Sequence, residues 1–447
     1  MKQENDLTTG PIGKKLFSLT IPMIFGILSI MVFNLVDTFF VSLLGTRELA
    51  AISFTFPVVL FIGSIAMGLG TAASSVVSQA IGEGDTKGVK RLTTDSLVLA
   101  VLIVVLFVFI GFKTMRPTFT LLGADNSIFP LIHQYMRIWY VGIVFLVVPM
   151  VGNHAIRASG DTKLPGLIMV FSALVNILLD PLLIFGLGPF PRLGLAGAAI
   201  ATVIARSFAL IFSLTVLCFQ KKMLDFSLQK LSIIFNSWKK ILYIGIPSAA
   251  SNILLPLSTA VIMSLVAKFG IAAVAAVGVG LRIEAFALVV IIALSAVLVP
   301  FVGQNWGAKK MKRIYAAQKL SNRFSFFWGL GCTAILFLMA RPLGRLFSND
   351  LEVINNVAIY LWILPICYGL RGIRVFAISV FNAINKPLIS VSINFAWMFG
   401  LYVPLSYIGA KVFKLKGIFF AIAFSHIIAG IVSLFLVENV CKKKLEQ

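Results

Sequence analysis

Acidic residues are scarce in this chain: 16 Asp and Glu stand against 38 Lys and Arg among 447 residues, and only 12% of the residues carry charge. Histidine is rarer, with three, and the four cysteines, Cys218, Cys332, Cys367 and Cys441, sit singly in or at the ends of apolar stretches. No CxxC spacing occurs, and His133, His154 and His426 each lack a second ligand at metal spacing, which argues against a zinc centre or a disulfide framework. Neither HExxH nor an Asp-rich loop suited to Mg²⁺ is present, so the intramembrane metalloprotease and polyprenyl transferase classes lose their machinery. No enzyme activity and no cofactor are expected. Residues 1–12 lack the apolar core and small-residue cleavage site of a signal peptide, so the first hydrophobic stretch is expected to be retained.

What the chain has in abundance is apolar surface. With 59% hydrophobic residues and a mean hydropathy of +1.01, it cannot hide that surface in water, and the bilayer must take it. A helix needs roughly 20 largely apolar residues to cross the hydrocarbon. Twelve such segments are readable, near 14–44, 50–80, 92–115, 128–156, 163–187, 194–219, 239–268, 273–303, 315–341, 352–383, 387–412 and 416–441. The expected fold is therefore an all-α integral membrane protein of twelve transmembrane helices.

The second half repeats the first at an offset of 225 residues: Lys14-Lys15 matches Lys239-Lys240, Pro22 matches Pro247, Gly45 matches Gly270, Gln79 matches Gln304 and Gly82 matches Gly307. Farther on the register drifts, with Gly197-x-x-x-Ala201 against Gly417-x-x-x-Ala421. Six spans per repeat make both halves enter from the same side, the parallel-repeat design of secondary transporters. The expected organisation is a cytoplasmic start (1–13), a first lobe (14–219), a cytoplasmic linker (220–238), a second lobe (239–441) and a cytoplasmic tail (442–447). In the linker, Phe226, Leu228, Leu231, Ile234 and Phe235 suggest a separate amphipathic segment lying on the membrane.

With the N-terminus inside, 23 Lys and Arg fall on the cytoplasmic side, ten on the other and five within spans. Both termini are thus expected in the cytoplasm of a cell, or inner, membrane. The net charge of +22 is accounted for by this loop bias and by anionic inner-leaflet lipid, so no nucleic-acid partner is expected.

A charged side chain at the bilayer centre costs on the order of 3 kcal/mol and needs a use. Only Asp37, Asp180 and Glu284 lie deep in apolar spans. Asn176 and Asp180, four apart, share a helix face, and Pro181 cannot donate to the carbonyl of Ile177, leaving a free acceptor nearby. Thr202 adds a hydroxyl from the sixth span. Two carboxylates, an amide, a hydroxyl and a carbonyl suit a hard cation or a shared proton. Asp37 maps onto Ile262 of the second repeat, Asp180 near Tyr402 and Asn176 near Met398, so coupling is expected in the first lobe alone. The bland alternative makes both acids hydrogen-bonded pins between helices.

Along its whole length the chain resembles the multidrug and toxic compound extrusion (MATE) transporters. The resemblance is carried by Leu7-Thr8-Thr9-Gly10-Pro11-Ile12 before Ile21-Pro22, by Asp37-Thr38-Phe39-Phe40-Val41-Ser42-Leu43-Leu44-Gly45, by Arg157-Ala158-Ser159-Gly160-Asp161-Thr162-Lys163, by Asn176-x-x-x-Asp180-Pro181 and by Gln304-Asn305-Trp306-Gly307-Ala308. It implies two six-helix lobes around a central cleft, and export of small organic, often cationic, compounds driven by inward H⁺ or Na⁺. In the archaeal and DinF-like branch the coupling site matches Asp37, Asn176, Asp180 and Thr202, with Tyr140 a further candidate; a bound Na⁺ would sit at Asp37, Asn176 and Asp180. The NorM-like pattern of acids in the seventh and tenth helices is absent, and the tenth span carries Arg371 and Arg374 instead. Glu284, Arg371 and Arg374 are candidate substrate contacts, or alternatively a fixed interhelical pair. A lipid-linked-oligosaccharide flippase of the same superfamily, using those arginines on an anionic headgroup, is the second functional reading. A monomer in contact with membrane lipid is expected.

Overall fold

The computed structural model describes residues 6–227 and 230–445, and the described residues form helices joined by turns and irregular backbone, with no strand among them. The first repeat holds α1 (Ile12–Ser42), α2 (Thr46–Glu83), α3 (Thr86–Leu121), α4 (Phe129–Gly142), α5 (Val144–Ala158), α6 (Lys163–Phe185) and α7 (Leu195–Thr215). The second holds α8 (Leu231–Ala267), α9 (Ile271–Gly307), α10 (Met311–Phe347), α11 (Leu351–Ile363), α12 (Tyr368–Ala383), α13 (Pro387–Phe395) and α14 (Val403–Leu445). Ten helical stretches among the described residues are long and apolar enough to cross a bilayer, and α4 with α5, bent by 41°, make an eleventh. Non-helical backbone at Phe413 and Lys414 divides the 56-residue stretch Pro387–Lys442 in two, which brings the spans to the twelve expected. Outward faces are apolar: Leu102, Val105, Leu106, Phe109 and Ile110 of α3 are all exposed, as a helix bathed in lipid requires.

The chain divides into two units. Residues 21–249 form the first, where α2 packs on α5 and α6 on α7. The second takes residues 7–20 and 250–447, with α12 packed between α10 and α14. Helices α1 and α8 therefore each change unit partway, α1 between Thr20 and Ile21 and α8 between Ala249 and Ala250. The change falls beside Pro22 in one and close to Pro247 in the other, repeat-equivalent positions where the backbone ladder loses a donor.

Motifs that stood out in the sequence have structural work to do. Gly45 and Gly270 open α2 and α9 at φ 145° and 101°, conformations that penalise any side chain. The Gln304-Asn305 pair, buried at the end of α9, fixes the start of the chain: Leu7 N–H donates to Gln304 Oε1 (3.1 Å) and Asn305 Nδ2 donates to Leu7 O (3.1 Å). Arg313 and Lys310 add bonds to the carbonyls of Gly10 and Thr8. Asp161 accepts from the backbone N–H groups of Lys163 and Leu164 at the start of α6 and pairs with Lys221 at 2.7 Å.

The linker corrects one expectation. No Gly or Pro interrupts the sequence from Leu231 to Ile244, so the helix of the seventh span simply extends back to Leu231. Ile234 and Phe235 thus belong to α8, Phe226 lies on irregular backbone, and Leu228 is outside the described residues. Bonds from Asp225 N–H to Thr94 Oγ1 (2.9 Å) and from Trp238 Nε1 to Asp95 O (3.1 Å) anchor the connection to α3.

Close approach of α1 and α6 rests on Gly166, where an added Cβ would stand 2.6 Å from the Pro22 carbonyl oxygen. Neither backbone can yield cheaply, so Gly166→Ala is expected to destabilise the protein by about 1–3 kcal/mol. A lowered melting temperature of the purified protein checks this.

Candidate functional site

Three helices of the first unit converge on the deep acids. Asp37 comes from α1, Asn176 and Asp180 from α6, and Thr202 from α7. Small residues make the approach possible: Ala196, Gly197, Ala198, Ala199 and Ala201 of α7 are all buried, and a Cβ on Gly197 would meet the Leu183 carbonyl of α6 at 2.4 Å.

Asp180 is fully buried and Asn176 is 1% exposed. Turned to suit its neighbours, the Asn176 amide donates to Asp180 Oδ2 at 2.9 Å and accepts from the Thr202 backbone N–H at 3.2 Å. One amide thereby locks the acid of α6 to α7. Asp37 lies within electrostatic range of Asp180, and its Oδ1 is buried without a hydrogen-bond donor. Two carboxylates thus share a low-dielectric site in which one oxygen has no protein partner. A buried carboxylate oxygen without a donor is costly while it carries its charge.

A small cavity of ≈ 220 Å³ meets the site at Asn176 and Thr202 and runs along Ile30, Phe33 and Arg206. The Arg206 guanidinium stacks over Phe33 at 5.6 Å from the ring centroid. Tyr140 is placed elsewhere: its ring packs against Gly111 and Phe112 of α3. Tyr135, buried and within electrostatic range of both Asp37 and Asp180, is the tyrosine that the structure brings to the acids. Tyr135 lies 225 residues before Tyr360, and that repeat match is the signal that could have found it.

The third deep acid belongs to the second unit. Glu284 of α9 pairs through Oε1 with Arg371 of α12, and its Oε2 accepts from the hydroxyls of Tyr360 (3.0 Å) and Tyr368 (3.4 Å). Arg374 is not part of that pair. Its guanidinium lies 4.2 Å from the Trp397 ring centroid and bonds Asn394 Oδ1. Glu284 and Arg371 nevertheless both line a cavity, so the fixed-pair and cavity-lining readings hold together. Among the described residues no group of three His, Cys, Asp or Glu is placed to hold a metal ion.

The MatE family model matches twice, at residues 22–182 and 247–408, one match per repeat. A FAD transporter of Shewanella oneidensis is 40% identical over 442 residues, covering 99% of this chain and 98% of that protein. A probable multidrug resistance protein, YpnP of Bacillus subtilis, is 25% identical over 429 residues, covering 95% and 94%. Among solved structures, the Vibrio cholerae MATE transporter VcmN in the bent form superposes with a TM-score of 0.92 at 33% identity, covering 97% of this chain and 98% of that one.

Proposed function

Since the chain belongs to the MATE family, whose members are membrane transporters and not enzymes, we propose that it is a secondary active antiporter. It exports small organic molecules in exchange for inward H⁺ or Na⁺, by alternating access, from a cell inner membrane with both termini in the cytoplasm. The observation that carries this reading is the buried Asp37 Oδ1 without a donor, in range of an Asp180 that is itself sealed from solvent. When a cation or proton enters, the repulsion between the two carboxylates falls and α1 can approach α6. Helix α1 carries Asp37 in the first unit while its first turns belong to the second, so a change in its packing bears on both. An ion and a substrate that bias the same element must alter each other's affinity by the same factor.

Flavin nucleotides are the first substrate class to try, because a protein 40% identical over nearly the whole chain is named a FAD transporter. Organic cations such as ethidium follow from the likeness to a probable multidrug resistance protein. The test is transport in proteoliposomes with a pH gradient and a Na⁺ gradient imposed separately. One of the two is expected to drive substrate accumulation against its own gradient. Equal, purely downhill movement under both conditions would refute the antiport reading.

A further inference from the structure

The second unit contains a larger cavity, ≈ 690 Å³, lined by residues that stand where the acid site stands in the first. At the repeat offset of 225, Leu255 replaces Ile30, Ser258 replaces Phe33, Ile262 replaces Asp37 and Tyr360 keeps Tyr135. In the drifted register, Ile422 takes the place of Thr202 and His426 that of Arg206. The carboxylates are gone. In place of the paired acids the second unit carries two guanidinium groups, Arg371 and Arg374, against which Glu284 supplies one carboxylate.

Several polar groups in or beside the wall of this cavity have no hydrogen-bond partner. Arg374 is 4% exposed, has no carboxylate partner among the described residues, and its buried Nε meets nothing. Trp397 Nε1 and His426 Nδ1 are likewise buried without partners, at 3% exposure each. The rings form a cluster, with Trp397 stacked on His426 (4.9 Å between centroids) and 4.6 Å from Tyr402. Tyr402 and Trp397 meet because residues 396–402 form a π-helical segment. In an ordinary α-helix, positions five apart point roughly 140° from each other, whereas the wider i→i+5 turn brings them to one face. Such segments recur at functional sites.

We propose that this cavity is a binding site for an organic anion with a planar ring, the ring lying against Trp397, Tyr402 and His426 and the anionic group reaching Arg371 in the cavity wall, with the positive charge of Arg374, which does not itself line the cavity, added from beside Trp397. Of the two cavities this is the roomier, with ≈ 690 Å³ of empty space against ≈ 220 Å³ in the first unit. Buried, unmatched donors and an uncompensated guanidinium are what an anion satisfies and an organic cation cannot. This inference rests on the reading that the chain carries small organic molecules. It is independent of which ion drives transport.

Equilibrium binding to the purified full chain in nanodiscs separates the alternatives, with three probes of similar ring size: FMN, neutral riboflavin and cationic ethidium. Wild-type protein is expected to bind FMN at least tenfold more tightly than either of the others. Arg374→Met is expected to weaken FMN at least tenfold while changing riboflavin less than threefold, and Arg374→Lys to retain most of the FMN affinity. Should Arg374→Met not survive purification, Trp397→Phe keeps a ring beneath the guanidinium, deletes the indole N–H, and is expected to lower FMN affinity three- to tenfold. No FMN binding by wild type, affinity indifferent to both substitutions, or ethidium bound as tightly as FMN would each overturn the proposal. The assay uses no ion gradient, so its failure is distinguishable from a failure of coupling.

Discussion

Asp180→Asn and Asp37→Asn are each expected to abolish gradient-driven export while leaving a folded protein that still binds substrate. Asparagine matches aspartate in shape, so packing around the fully buried Asp180 should survive, and what is lost is the capacity to take up a proton or a cation charge. Coupling free energies between two ligands are typically about 1–3 kcal/mol, or 5–150-fold in affinity, and each substitution should erase that factor. Efflux rates for ethidium and FMN in the two variants, set beside wild type and a substrate-binding assay, provide the check. The bland alternative, that the acids are pins between helices, makes the opposite forecast, because an amide can serve as a pin at least as well as a carboxylate. Export at wild-type rates in both variants would decide for the pins.

The second large effect concerns folding. Glu284→Gln or Arg371→Met should each destabilise the second unit by about 3–5 kcal/mol, since removing one partner leaves the other charge buried and unanswered. The Glu284 substitution also weakens the acceptor for the hydroxyls of Tyr360 and Tyr368. Replacing both partners should cost less than the sum of the single changes, because the orphaned charge disappears together with its mate. Thermal melting of the two single variants and the double variant forms the cycle. Strict additivity would mean that the ion pair contributes nothing beyond its separate residues.

Much of this architecture was legible because membrane solvent makes a coarse code. Twelve apolar runs and a register held from Lys14-Lys15 to Gly82 gave the spans and the repeat, and the MatE model matches once in each half. Asp37, Asn176, Asp180 and Thr202 could be grouped because charge in hydrocarbon is costly and positions four apart share a helix face. Tyr140 could not be placed the same way. The 41° bend between α4 and α5 and the packing of its ring on Gly111 are tertiary facts, and only the match of Tyr135 to Tyr360 pointed to the tyrosine that lies near the acids. The π-helical turn at Trp397 and Tyr402 was equally out of reach, since a reading at 3.6 residues per turn sends those two rings apart. Glu284 had two candidate partners by sequence, and the geometry of α12 decided for Arg371. The linker was misread because amphipathic spacing on Leu231, Ile234 and Phe235 fits an interfacial helix and the first turns of a long spanning helix alike.

The most direct test of carboxylate coupling counts ions and substrate in the same vesicles. In proteoliposomes loaded with substrate, entry of Na⁺ or H⁺ and exit of substrate would be followed together under whichever gradient drives transport. Wild-type protein is expected to show a fixed ratio of ions in to molecules out, and the Asp180→Asn variant no substrate-dependent ion entry at all. Unchanged, substrate-dependent ion entry in that variant would contradict the account.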